Sequence, residues 1–141
     1  MGGASFGGNS HACLWRGTSA SFVDLNPTGA TKSVAKAVSG GWQAGYVYVG
    51  GKFRACVWTG TAGSWVDLNA LLPSGSYIDS YAQGIYVSGA DTWVVGSATK
   101  AADQWPVAVM WHYVAVPEPS SLLALLTGVG GLGGLVWRRR R

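Results

Sequence analysis

The sequence predicts an all-β protein of antiparallel repeat units, followed by one C-terminal transmembrane helix. Three observations carry that expectation. The chain of 141 residues holds 22 glycines, 8 tryptophans and 6 tyrosines, with only 11% charged residues, a composition that suits short strands joined by tight turns. Its body repeats itself at a fixed offset. Its last residues form an uncharged apolar run closed by a block of arginines.

The repeat is direct. Gly7-Gly8-Asn9-Ser10-His11-Ala12-Cys13-Leu14-Trp15 aligns with Gly50-Gly51-Lys52-Phe53-Arg54-Ala55-Cys56-Val57-Trp58 at an offset of 43, and the same offset carries Phe22-Val23-Asp24-Leu25-Asn26 onto Trp65-Val66-Asp67-Leu68-Asn69. After an insertion at 71–76, residues 33–39 match 80–86, and Trp42-Gln43-Ala44-Gly45-Tyr46 matches Trp93-Val94-Val95-Gly96-Ser97. A third copy starts at Pro106-Val107-Ala108-Val109-Met110-Trp111. The units are therefore 7–49, 50–105 and a partial 106–115, within a β-repeat region spanning 1–115. Each full unit holds four strand-sized runs separated by turn residues, with Ser39-Gly40-Gly41 and residues 59–63 as turns. Four strands in about 40–45 residues is the size of a propeller blade.

Two and a fraction blades make an incomplete propeller, since closure needs roughly four blades and stacked repeats about three units. Residues 3–6 align with 46–49, the last strand of a unit, and Met1-Gly2-Gly3-Ala4-Ser5-Phe6 carries neither a basic nor an apolar leader segment. The expectation is a C-terminal fragment of a longer reading frame, or a mis-assigned start.

Charge excludes a nucleic-acid surface. Four of the ten basic residues are Arg138, Arg139, Arg140 and Arg141; the other six balance the six acids, so the body carries no clustered positive charge of the kind nucleic acids require. Chemistry is sparse. His11 and His112 lie beside tryptophan-bearing strands and read as strand-edge polar positions. Cys13 and Cys56 occupy equivalent repeat positions without CxxC spacing, which argues against zinc and favours buried apolar thiols, although an oxidising compartment permits a disulfide. Asp24 and Asp67 recur in each unit, so a turn role outweighs paired catalytic acids or a calcium site. Trp15, Trp58 and Trp111 read as core; Trp42, Trp65, Trp93 and Trp105 are free to stack on sugar rings if exposed. No nucleophile elbow, P-loop or HExxH motif occurs. The body is expected to have no catalytic residues, no metal and no cofactor.

The tail has three parts in order: Pro117-Glu118-Pro119, an apolar run at 120–137, and the four terminal arginines. Eighteen residues at ~1.5 Å each give ~27 Å of helix, near the ~30 Å hydrocarbon thickness. Five glycines (Gly128, Gly130, Gly131, Gly133, Gly134) weaken such a helix in water by up to about 1 kcal/mol each, but in lipid an unpaired peptide group is worse. Trp137 suits the interface, and the arginines resist crossing, so the C-terminus is expected on the cytoplasmic side and the body outside.

This arrangement over residues 116–141 resembles the PEP-CTERM sorting signal of exported bacterial proteins. The resemblance implies an exosortase-type membrane protease that recognises Pro117, Glu118 and Pro119, a lipid bilayer as partner, and Arg138, Arg139, Arg140 and Arg141 as a cytoplasmic stop. It implies a cell-envelope location before sorting to the surface or matrix, with exopolysaccharide as a further partner. The body is similar to HAF-type extracellular repeats, His11-Ala12-Cys13-Leu14-Trp15 being nearest to the His-Ala-Phe-Leu-Trp pattern and Arg54-Ala55-Cys56-Val57-Trp58 a looser match. The function expected is a non-enzymatic surface or matrix protein; the alternatives are a carbohydrate-binding propeller module and a fragment of a propeller hydrolase.

Overall fold

Paired glycines set the pattern of hairpins. At Gly40-Gly41 and Gly50-Gly51 both residues hold positive φ (53° and 81°; 63° and 80°), the conformation of two-residue turns whose twist matches that of flanking strands. The chain accordingly folds up and down. In the computed structural model, which describes residues 1–115 and the backbone of 136–140, the strands are β1 (Gly2–Phe6), β2 (Asn9–Leu14), β3 (Val23–Asp24), β4 (Lys32–Ser39), β5 (Trp42–Val49), β6 (Lys52–Trp58), β7 (Val66–Asp67), β8 (Tyr77–Ser88), β9 (Asp91–Lys100), β10 (Pro106–Val114) and β11 (Val136–Arg140). They form three antiparallel sheets ordered β1-β2-β3, β4-β5-β6-β7 and β8-β9-β10-β11. The protein is all-β, and the described residues contain no α-helix, only short 3-10 turns.

The sheets and the sequence repeat are out of phase. The unit 7–49 runs from β2 of the first sheet to β5 of the second, and the unit 50–105 from β6 to β9. A unit thus ends where one sheet is half built, which binds each sheet to its neighbour through the chain itself.

A shared irregularity marks the second and third sheets. Lys36 is an extra residue between the pairs Ala35↔Gly45 and Ala37↔Ala44, and Gln83 is extra between Ala82↔Gly96 and Gly84↔Val95. These are β-bulges. Opposite each stands a glycine, and there is no room for anything larger: a Cβ at Gly45 would sit 1.9 Å from the Val34 carbonyl oxygen, and one at Gly96 1.9 Å from that of Tyr81.

Apolar faces meet between successive sheets. Leu14, Leu25, Val47, Cys56 and Trp58 fill the space between the first and second sheets. Val57, Leu68, Val94, Val109 and Trp111 fill that between the second and third. Trp58 and Trp111 are fully buried, as expected. Trp15, at the equivalent place in the first sheet, is half-buried and packs on Phe22 at 5.5 Å between ring centroids. Backbone ties recur too: the Ala12 N–H donates to Ser33 Oγ (3.0 Å) and the Ala55 N–H to Ser80 Oγ (2.9 Å), each joining the next-to-last strand of one sheet to the first strand of the next.

Candidate functional site

The last strand before the sorting residues in the sequence is β10, which ends at Val114. Pro117, Glu118 and Pro119, and most of the apolar run expected to cross a membrane (120–135), fall outside the described residues, as does Arg141. Among the described residues no helix is long and apolar enough to cross a membrane. Val136 and Trp137, expected as the end of that helix, are strand instead. Residues 136–140 run antiparallel along β10, pairing Val136 with Val114, Trp137 with Tyr113, Arg138 with His112, Arg139 with Trp111 and Arg140 with Met110. The physical reason is the second edge of β10, whose backbone groups β9 cannot satisfy. In the first two sheets the Val-Asp strands β3 and β7 supply that last position; in the third, the tail does.

The attachment strand carries a buried polar group. His112 is stacked flat on Trp93, with centroids 3.6 Å apart and planes 4° apart, and its Nε2 lies 2.6 Å from Asp91 Oδ1. It is only 7% exposed, so it is not the strand-edge polar position that its sequence neighbours suggest. Stacking on Trp93 and pairing with Asp91 offset the loss of water. His112 Nδ1 is buried without a hydrogen-bond partner among the described residues.

The second histidine belongs to a repeated device. His11 Nδ1 lies 2.8 Å from Asp24 Oδ2, while Asp24 Oδ1 accepts the Asn26 N–H at 2.8 Å. Forty-three residues on, Arg54 Nη1 donates to Asp67 Oδ2 at 3.0 Å, and Asp67 Oδ1 accepts the Asn69 N–H at 2.9 Å. Each aspartate holds a nitrogen-bearing side chain across the sheet with one oxygen and closes a turn with the other. Arginine cannot act as a base, so its presence in the same geometry makes the pair a structural tie. Sequence reasoning found the turn role and missed the partners, although both recur at the offset that defines the repeat.

The thiols are not poised for chemistry. Cys13 and Cys56 are free and buried. Burial, with a smaller contribution from Asp67, pushes the Cys56 thiol well above its ordinary range; burial and then Asp24 raise that of Cys13. A nucleophilic cysteine needs the opposite shift. Among the described residues no three histidine, cysteine or carboxylate side chains gather to hold a metal ion. Of the tryptophans left open for sugar stacking, Trp42 and Trp65 pack against the cores, Trp93 lies under His112, and Trp105 is 70% exposed.

With β10, β11 and the tail in place, comparison with known proteins adds one finding. Residues 115–141 match the PEP-CTERM protein-sorting motif. The match supports an exported, envelope-associated protein that is recognised and sorted by an exosortase. No curated protein and no solved structure matches the chain.

Proposed function

We propose that the protein is a non-enzymatic component of the bacterial surface or extracellular matrix, delivered there by its PEP-CTERM tail. The observation that carries this reading is the motif match at 115–141. In it, Pro117-Glu118-Pro119 is the element the exosortase recognises, 120–137 is the membrane segment, and Arg138, Arg139, Arg140 and Arg141 hold the C-terminus on the cytoplasmic side. The three sheets are blades of propeller type, each a short up-and-down meander packed on the next, and the HAF-like repeat is their sequence form. The structural use of Asp24 and Asp67 and the raised thiol pKa values support a body that makes contacts and carries out no reaction.

This reading requires the tail to have two arrangements. A span of ~27 Å places residues 138–141 across the bilayer from the body, whereas the paired state lays 136–140 against β10. The two exclude each other. Pairing keeps the edge of β10 satisfied away from the membrane, and insertion exchanges those hydrogen bonds for burial of the apolar run in lipid. Replacing Pro117, Glu118 and Pro119 by alanine in the full chain, exported behind a cleavable leader in exosortase-bearing cells, tests the assignment. The variant is expected to accumulate in the inner membrane while the parent chain moves on to the surface. Equal surface delivery of both would contradict it.

A further inference from the structure

The first strand of the second sheet, β4, borders a cavity of about 180 Å³ lined by Ser10, Lys32, Ser33, Val34, Tyr46 and Phe53. Its walls differ in chemistry. On one side stands a packed aromatic group: Tyr46 meets Phe53 at 5.7 Å and Tyr81 at 5.0 Å, Phe53 meets Tyr81 at 5.4 Å, and Tyr48 meets Phe53 at 4.9 Å between centroids. Sheet register explains the group, since Tyr48 and Phe53 are direct cross-strand partners and Tyr46 is two residues along on the same face. Ser10 adds an exposed hydroxyl from the first sheet, while the buried Ser33 Oγ accepts the Ala12 N–H.

Lys32 supplies the charge. Its Nζ is 5.2 Å from the Tyr48 ring centroid and 5.3 Å from that of Phe53, close enough for the ring faces to hold the ammonium in place. Among the described residues it forms no ion pair with a carboxylate. Asp24, the carboxylate nearest in sequence, is paired with His11, and Asp79, which occupies the equivalent place on β8, accepts the Phe53 N–H with its Oδ1 at 2.7 Å. An ammonium held over aromatic rings, lining one cavity with the Ser10 hydroxyl and ion-paired to no carboxylate among the described residues, is unsaturated toward an anion.

We propose that this cavity binds a carboxylated sugar ring, a uronic-acid unit of a polysaccharide. A volume of about 180 Å³ is below the ~300–1,000 Å³ of pockets for drug-sized ligands and suits one ring of a chain that continues into solvent. The carboxylate pairs with Lys32 in a charge-assisted hydrogen bond. The apolar C–H face of the pyranose lies on Tyr46 and Phe53, and its hydroxyls meet Ser10. Phosphorylated ligands fit less well, because one ammonium without a glycine-rich loop or a helix N-terminus offers too few donors for a phosphate group.

The test is a titration of the full chain in nanodiscs with trigalacturonate, with a neutral trisaccharide as the control probe, followed by backbone amide chemical shifts. Trigalacturonate is expected to move the resonances of Lys32, Tyr46 and Phe53 and to bind at least tenfold more tightly than the neutral sugar, with an affinity that falls as salt rises. Lys32→Ala is expected to weaken that binding at least tenfold and Lys32→Arg to restore most of it. Lys32 is exposed, so its replacement leaves folding intact, which unchanged shifts elsewhere verify. Equal binding of both sugars, binding of neither, or binding indifferent to Lys32→Ala overturns the proposal.

Discussion

Replacing Gly45 with alanine probes the bulge that shapes the second sheet. The added Cβ would lie 1.9 Å from the Val34 carbonyl oxygen, 2.9 Å from its carbon and 3.0 Å from the Ala35 Cα. All three are backbone atoms, so no side chain can swing away. Restoring ordinary contact needs the two strands to separate by more than an ångström, which disrupts the pairs Ala35↔Gly45 and Ala37↔Ala44 and strains the packing of Ala44 and Val47 beneath them. Overpacking alone costs about 1–3 kcal/mol, and the loss of ladder hydrogen bonds, each worth ~0.5–1.5 kcal/mol, puts this site at or above the upper end. Thermal unfolding followed by tryptophan fluorescence is expected to shift down by about 10 °C or more, at roughly 4–8 °C per kcal/mol for a domain of this class. Gly96→Ala is expected to behave alike, since its Cβ would meet Tyr81 at the same distances. Gly63→Ala is the control: nothing lies within 4 Å of its Cβ position, and the change is expected to be neutral or stabilising by up to about 1 kcal/mol. A Gly45→Ala chain that melts within 3 °C of the parent would refute the bulge argument.

Other perturbations separate the roles assigned above. Trp111 donates Nε1–H to the Leu68 carbonyl at 3.1 Å, whereas Trp58 Nε1 is buried without a partner among the described residues; Trp111→Phe is expected to cost about 1 kcal/mol more than Trp58→Phe in urea unfolding. Asp67→Ala removes the acceptor for two turn amides and for Arg54, an expected loss of about 1–2 kcal/mol, while Arg54→Ala, removing a partly exposed ion pair and a long 3.4 Å bond to the Val49 carbonyl, is expected to cost less than about 1 kcal/mol. Because burial raises the folded-state pKa of Cys56, its contribution to stability is complete below the ordinary thiol pKa of ~8.5 and is lost as pH rises toward the folded value. Native protein is therefore expected to resist thiol alkylation at pH 8 and to unfold more readily by pH 10. Met110 and Arg140 are Cα partners, so Met110→Cys with Arg140→Cys, in a chain whose native cysteines are replaced by alanine, is expected to cross-link before membrane insertion and not after it.

The repeat made most of the fold legible. Aligning Gly50-Gly51 with Gly7-Gly8 and Trp58 with Trp15 located the hairpins and the strands that feed the core. It also matched Gly45 to Gly96, the signal for the bulges, but a bulge requires knowing which residue of the partner strand goes unpaired, and Lys36 and Gln83 carry no mark of that. The phase of the sheets was hidden for a related reason: a repeat shows its period, while hydrogen bonding decides where one sheet stops. Side-chain ties such as Ala12 to Ser33 or His112 to Asp91 join residues about twenty positions apart and depend on register that composition does not encode. His112 looked like an edge residue because the ring that covers it, Trp93, lies nineteen positions earlier on β9, and the strand that pairs beyond β10, β11, follows twenty-odd residues later in a segment whose apolar character reads as membrane. The aromatic cavity was equally hidden, since Lys32, Tyr46, Phe53 and Tyr81 come from four strands. The sorting tail was the reverse case, read directly from Pro117-Glu118-Pro119, the apolar run and the arginines, because a signal meant for recognition is written in linear sequence.

The most direct test of the account is cell fractionation of the chain with and without residues 117–141, both exported behind a cleavable leader in cells that carry an exosortase. The intact chain is expected in the envelope and surface fractions, and the truncated body free in the soluble fraction. Retention of the truncated body in the envelope to the same extent as the intact chain would contradict the claim that the tail determines where this protein goes.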